Sequence, residues 1–375
     1  MTCPTFDVVI IGAGIVGSAC AAECISEGLK TAIVEAKIIG GGATAAGMGH
    51  LVVMDDSEAQ FALTSYSCKL WNELKEDLPS SIEYEACGTI WVAADDEEMA
   101  EVRRKEKYYT ERGVPVQVLD AKALHDAEPN LRSGLAGGLR VPNDCVIYPP
   151  CAAQFFVDRA VSNGATLILG KKVKNIQQDG VRIDDDTFLS SGMVVNATGS
   201  WAPLLTSGID VKKRKGHLLI TDRYPGFVKH QLVELGYLKS AHSVTDDSVA
   251  FNIQPRKTGQ MLIGSSRQYG VESSQIDTLI LRRMLNRAIE YMPDLANLSS
   301  IRTWTGFRAA TPDKLPLIGP DVLNSKLYLA TGHEGLGITT SLGTAKLLVD
   351  QIVSRRSAIP IAPYLPARVS ELSHA

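Results

Sequence analysis

The chain has 375 residues, which at about 150 residues per domain points to two or three domains. Its composition is 45% hydrophobic and 21% charged, with 32 glycines, which fits a globular protein and excludes a disordered or fibrous one. A net charge of −4 without any basic block argues against a nucleic-acid or anionic-membrane partner. The longest uncharged apolar stretch, 8–22, is shorter than the ~20 residues of a spanning helix, so no transmembrane segment is expected. The first positive charge is Lys30, so neither a basic n-region nor a secretory signal is expected. Seven scattered cysteines without a CxxC pair give no support to a disulfide framework or a metal site. They suggest reduced thiols and a cytoplasmic setting.

In chain order, 7–11 (Asp-Val-Val-Ile-Ile) reads as a buried strand. A glycine turn follows, then a small-residue helix over 18–27 stopped by Gly28, and a second strand over 31–35. The run 40–50 holds five glycines and is expected to be a loop, because glycine does not sustain a helix interior. Helices are expected over 59–74 and 97–112, with a strand over 88–93 between them. The charged stretch 95–107 reads as a solvated helix face. A helix over 154–161 and strands over 166–169 and 193–196 follow. Residues 216–308 look strand-rich, notably 217–221, 249–253 and 261–264. The chain closes with a strand over 327–330, a glycine turn and a helix over 339–353.

The N-terminal glycines carry the clearest chemistry. Gly12 permits a tight turn after the strand, Gly14 lets backbone approach a pyrophosphate, and Gly17 lets the helix pack on the strand. The helix N-terminus then offers N–H groups and partial positive charge to phosphates. Glu35 ends the second strand, 18 residues after Gly17, placed to accept from a ribose hydroxyl and to repel a 2′-phosphate. Only one such fingerprint occurs, so one dinucleotide is expected. FAD is favoured over NAD by three further features: the glycine run after Glu35, the small-residue strand end Asn196-Ala-Thr-Gly199, and Thr331-Gly-His-Glu-Gly-Leu-Gly337 ahead of a late helix. A helix N-terminus aimed at an isoalloxazine stabilises its anionic reduced form.

These segments resemble the D-amino-acid oxidase/glycine oxidase (DAO) family of FAD-dependent oxidoreductases. The likeness rests on 8–17, Glu35, Ala46-Gly-Met-Gly-His50, Asn196-Ala-Thr-Gly-Ser-Trp201, Trp304-Thr-Gly-Phe-Arg308, Asp313-Lys-Leu-Pro-Leu-Ile-Gly319 and Gly332-His-Glu-Gly-Leu-Gly337. Gly47-Met-Gly-His50, Asn252-Ile-Gln-Pro-Arg256, Gly264-Ser-Ser-Arg-Gln268 and Gly332-His-Glu-Gly-Leu-Gly-Ile-Thr-Thr340 more closely resemble its D-hydroxyproline dehydrogenase and hydrogen cyanide synthase branch. The resemblance implies an α/β fold: a Rossmann-like FAD-binding domain (1–80, 146–212, 309–375) with a mixed-sheet α+β substrate domain inserted (81–145, 213–308). It implies oxidation of the C–N bond of a small D- or secondary amino acid, cis-4-hydroxy-D-proline or D-proline foremost, by hydride transfer to flavin N5, giving an imine.

For FAD the resemblance points to Gly12, Gly14, Ile15, Val16, Gly17, Glu35 and Ala36, then Thr44, Ala45, Ala46, Gly47, Met48 and Gly49. It adds Val173, Ala197, Thr198, Gly199, Trp201, Gly306 and Arg308, and in the late turn Gly332, His333, Glu334, Gly335, Leu336, Gly337, Ile338 and Thr339. The substrate carboxylate calls for an arginine fork, and Arg308 stands at the family's position, although Ala309 rather than proline follows it. His50 is a pocket candidate or a structural histidine. His333 is a catalytic candidate or a packing residue, and Glu334 is a partner for a secondary amine. Where related oxidases present a tyrosine, this chain has Phe251, Asn252 and Gln254, and Asn252, Gln254 or Arg267 would replace the hydroxyl. Trp201 and Trp304 read as core or domain-seam residues.

Glycine is the second substrate reading, for a glycine oxidase or a glycine-oxidising subunit of a cyanide-forming complex. A non-catalytic flavoprotein subunit and an NAD-binding dehydrogenase without flavin are further alternatives. The electron acceptor is open among oxygen, a quinone at the inner membrane and a partner subunit, and a hetero-oligomeric partner is allowed for.

Overall fold

The computed structural model describes residues 5–236 and 247–372, and these divide into two compact units. One comprises 5–82, 148–213 and 307–372, the other 83–147, 214–236 and 247–306.

The first unit is built on a sheet ordered Leu317–Pro320, Leu327–Thr331, Phe188–Asn196, Thr5–Ile11, Thr31–Glu35, Thr166–Leu169. Its four central pairings are parallel, with Val9 opposite Val194 and Ala32, and Val194 opposite Leu327. Parallel strands covered on both faces need continuous apolar runs, which is what Val8-Val-Ile-Ile11 and Ala32-Ile-Val34 supply. Helices Ile15–Ser26, Pro149–Ser162 and Gly337–Ile352 pack together. Separately, Val173, Val181 and Ile183 join Phe6, Val9 and Ile11 in one apolar core.

The first helix begins at Ile15, three residues before the expected start, directly out of the glycine turn. The run 40–50 is not wholly a loop. Gly42–Ala46 forms one helical turn, because Ala43, Ala45 and Ala46 favour helix while Gly41 and Gly47 bound it. Pro149 starts the helix expected over 154–161, where a missing N–H costs nothing.

The second unit carries a sheet ordered Ser300–Ala310, Lys212–Thr221, Met261–Tyr269, Ser248–Pro255, Gln231–Glu234, Thr89–Ala93, Gly137–Val141, Gln117–Asp120. It is mixed: Gln231–Glu234 runs parallel to Thr89–Ala93, whereas Lys212–Thr221 with Met261–Tyr269, Met261–Tyr269 with Ser248–Pro255, Ser248–Pro255 with Gln231–Glu234, and Gly137–Val141 with both of its neighbours are antiparallel. Helix Thr278–Tyr291 interrupts the stretch expected to be strand-rich. Asp277 caps it, accepting from the N–H groups of Leu279 and Ile280, and Ile280, Met284, Ala288 and Tyr291 form its buried stripe. These meet Phe251, Ile253, Met261 and Ile263 in the unit's core, where Phe251 stacks on Tyr291 with ring centres 4.6 Å apart.

The charged helix Asp96–Glu111 is exposed over most of its acidic first turn, but it is not wholly a solvated face. Lys105 is fully buried, its ammonium 4.9 Å from the Trp91 ring centre and 5.5 Å from that of Tyr109. Those rings replace part of the hydration the lysine loses. No helix among the described residues is long and apolar enough to cross a membrane, and no group of three or more His, Cys, Asp or Glu is placed to hold a metal ion.

Candidate active site

In the first unit the strand Thr5–Ile11 ends at Gly12, whose φ of +100° favours glycine. A side chain there would place its Cβ 2.9 Å from the Ala197 carbonyl oxygen. At Gly17 a Cβ would stand 2.0 Å from the Gly12 carbonyl oxygen, so strand end and helix meet backbone to backbone. Gly14 is extended and no side chain of its own caps the helix. Thr44 reaches across from Gly42–Ala46, and its Oγ1 accepts from Ile15 N–H at 3.0 Å. Glu35 is oriented from both sides: Oε2 accepts from Ala13 N–H and Oε1 from Lys37 N–H, each at 2.8 Å. The cradle thus combines bare backbone, a helix N-terminus capped only from outside by Thr44 and a fixed acid, the groups a nucleotide diphosphate and its ribose need. The residues present fit FAD here.

Two further elements frame this cradle. Asn196 donates from Nδ2 to Ala202 O and to Thr206 Oγ1, while its Oδ1 accepts from Thr198. This polar knot fixes the turn Ala197-Thr-Gly199. Thr331 Oγ1 donates to Gly199 O, tying that turn to the strand before the late glycines. Gly47 abuts the late helix, where a Cβ would lie 2.7 Å from Ile338 Cδ1. Ala36 follows Glu35 on the surface, and Met48 is buried. Val173 belongs to the apolar core, so only its backbone is available to a ligand. Trp201 is not a core residue. It is 41% exposed, with its ring edge 3.3 Å from the Cβ position of Gly42, because it sits on the outer side of a short 3-10 turn.

The turn 332–337 gathers the substrate candidates of this unit. Glu334 N–H donates to Ala309 O at 2.9 Å, which lays the turn against the residue after Arg308. Gly335 carries no side chain, and its Cβ position is 3.6 Å from Arg308 Nε. Glu334 itself has φ +54°, a conformation costly for a residue with a side chain, and such outliers concentrate at functional sites. Both of its carboxylate oxygens are shut off from solvent. His333 is buried, its Nε2 2.9 Å from Thr344 Oγ1, and burial pulls its pKa down to about 3. The ring is therefore neutral at neutral pH, which suits packing under the turn better than proton donation. His50 is joined to the late helix through its backbone: Thr339 Oγ1 donates to His50 O at 2.8 Å.

The remaining candidates lie in the second unit. Asn252, Gln254 and Arg267 are all buried, on the adjacent strands Ser248–Pro255 and Met261–Tyr269. Gly306 lies near the end of strand Ser300–Ala310, on which Trp304 is half-buried. Sequence reasoning missed the residues that hold others in place. Ser67 accepts from Gly343 N–H and donates to Thr339 O, pinning the late helix to Glu58–Leu74. Thr344 pairs His333, and Thr331 ties two turns. Nothing in local spacing distinguishes these from ordinary helix and strand hydroxyls.

A family model described as "DAO: FAD dependent oxidoreductase" matches residues 7–351. The chain belongs to that family. Hydrogen cyanide synthase subunit HcnC of Pseudomonas aeruginosa is 28% identical over 418 residues, covering 97% of this chain and 96% of that protein. Glycine oxidase of Geobacillus kaustophilus is 27% identical over 372 residues, covering 96% of each. The crystal structure of that glycine oxidase superposes with a TM-score of 0.86 at 26% identity, covering 96% of this chain and 98% of the other. L-proline dehydrogenase from P. horikoshii shares the fold, with a TM-score of 0.88 at 24% identity over 97% and 98% of the two chains. The protein is an FAD-dependent amino-acid oxidoreductase with a Rossmann-like FAD domain.

Proposed function

We propose that this oxidoreductase acts on the C–N bond of a small D- or secondary amino acid, with cis-4-hydroxy-D-proline or D-proline as its substrate and an imine as its product. The observation that carries this reading is Arg308, held against the turn 332–337 in the same unit as the dinucleotide cradle. An arginine fork gives a carboxylate two parallel charge-assisted hydrogen bonds and so fixes which C–H is presented. Bound FAD supplies the hydride acceptor. The substrate must lose hydride from a carbon whose nitrogen has a free lone pair, so the amine is bound or rendered neutral. Glu334, in its constrained turn, is the residue we assign to the amine N–H. His333 is uncharged at neutral pH and acts by supporting the turn.

Anaerobic titration of the yellow enzyme with D-proline, the hydroxyproline epimers, glycine, sarcosine and D-alanine tests the reading. Flavin bleaching by the proline series is expected, and admission of air then separates an oxidase from an enzyme that needs a quinone or partner subunit. Bleaching by glycine alone would replace this reading with glycine oxidation, which the names of two relatives, glycine oxidase and a hydrogen cyanide synthase subunit, support.

A further inference from the structure

The late helix, Gly337–Ile352, starts against the dinucleotide cradle within the first unit. The Cβ position of Gly337 lies 3.8 Å from Val16 Cγ2, in the first turn of the first helix. Ile338 fills the space beside Gly47, which ends the short helix bearing Thr44. Thr339 Oγ1 donates to His50 O and accepts from Val52 N–H at 3.4 Å, so the same turn is fastened to the chain just after Gly49. The direction of this first turn therefore sets where two walls of the cradle stand.

From Thr339 to Gly343 the helix backbone is entered from outside. In a regular α-helix the N–H of residue 343 donates to the C=O of residue 339. Ser67, on helix Glu58–Leu74, bonds both of those groups: its Oγ accepts from Gly343 N–H at 3.0 Å and donates to Thr339 O at 2.6 Å. A side chain set into this ladder is one of the few causes of helix bending. Ser67 is 0% exposed and Thr339 1%, so bulk water does not compete for these groups. Gly343 is what admits the serine, because a Cβ there would stand 3.2 Å from Ser67 Cβ and 3.0 Å from Leu63 Cδ1. Glycine weakens a helix interior, so this one serves close approach and not helix formation. Serine and glycine together make a joint between the first turn and the rest of the helix.

We propose that Ser67 is a positioning residue for the cofactor: its hydroxyl, set into the backbone of the late helix, fixes the direction of the turn 337–340 and so the shape of the FAD cradle. The proposal depends on FAD and not on which amino acid is oxidised.

The test titrates the apoproteins of wild type, S67A, S67T, G343A and R355A with FAD, and records Tm and the visible circular dichroism of the bound flavin. Ser67→Ala leaves Gly343 N–H and Thr339 O to pair directly, which redirects the first turn. Its Kd for FAD is expected to rise about tenfold, the worth of one buried hydrogen bond, with an altered flavin dichroism. Ser67→Thr keeps the hydroxyl and should recover most of both. Gly343→Ala gains helix propensity but presses on Ser67 and Leu63, so it should change the same two signals in a folded protein. Arg355→Ala is the control: it loosens the far end of the same helix, where Arg355 bonds Asp350 and Glu27, and should lower Tm alone. A merely structural serine would lower Tm in S67A and leave FAD affinity and dichroism at wild-type values, and that result overturns the proposal. An R355A protein that loses as much FAD affinity as S67A overturns it too. If S67A does not fold, G343A decides, and wild-type flavin signals there refute the joint. No amino acid enters these assays, so their outcome is separate from that of the substrate titration.

Discussion

Gly17→Ala adds one carbon where the first helix crosses the end of the first strand. Its Cβ would stand 2.0 Å from Gly12 O, 3.1 Å from the Gly12 carbonyl carbon and 3.2 Å from Ala197 Cβ. Two of these three atoms are backbone, so no rotamer change relieves the contact. Helix and turn must separate by about 1 Å to restore a tolerable distance, and overpacking of this kind costs roughly 1–3 kcal/mol. Alanine regains up to about 1 kcal/mol of helix propensity, which offsets only part of that. The same separation moves the N–H groups that would meet the FAD diphosphate, so the loss should fall on cofactor affinity. At the roughly 2 kcal/mol that remains at the upper end it amounts to about 30-fold in Kd. FAD content after gel filtration, titration of the apoprotein with FAD, and Tm measure it. Gly28→Ala is the control: φ is +78° there but nothing lies within 4 Å of the new Cβ, so it should lower Tm modestly and leave FAD affinity alone. A G17A protein that retains FAD with wild-type affinity would refute the reasoning.

Arg308→Ala should raise KM for amino-acid substrates by about 10- to 100-fold with FAD still bound, as expected for loss of a charge-assisted pair, and Arg308→Lys should recover only part of it; steady-state kinetics decide, and an unchanged KM removes the carboxylate assignment. His333 titrates near 3 when folded and near 6.5 when unfolded, so the unfolded state binds the extra proton between those values. The stability it contributes is therefore present above about pH 6.5 and is lost as pH falls toward 3, with a slope of up to about 1.4 kcal/mol per pH unit. Denaturant unfolding of wild type and H333Q across that window should show a shallower acid loss in the variant, and parallel curves would contradict the burial argument. In the second unit Arg287 holds the buried carboxylate of Glu234 through Nε and Nη2, beside the Tyr291 hydroxyl. Arg287→Ala leaves that charge short of its cation and should cost about 3 kcal/mol, whereas R287A/E234Q should recover much of it; equal stability of the two variants would argue against an uncompensated charge.

The dinucleotide cradle was legible in the sequence because its parts are local. Gly12, Gly14, Gly17 and Glu35 lie within one strand–helix–strand unit, and each is dictated by backbone clearance or by a hydrogen bond within that unit. The late turn was legible for the same reason: Gly332 takes a φ of +78° where a Cβ would stand 2.6 Å from Thr311 Cγ2. Helix Thr278–Tyr291 could have been found from Asp277 and the spacing of Ile280, Met284 and Ala288, but strand-like neighbours masked that period. The burial of Lys105 and the exposure of Trp201 had no local signal. Each depends on which aromatic ring or glycine lies across from it, a matter of long-range packing.

Sequence alone therefore determined the family, the cofactor and the glycine-shaped backbone that receives it, since close backbone approach leaves a mark in residue identity at fixed spacing. Tertiary structure alone decided that Thr44 caps the first helix, that burial keeps His333 neutral, and that Lys105 is buried against the rings of Trp91 and Tyr109. Those properties arise between residues far apart in the chain, where strand register and burial set what a side chain meets.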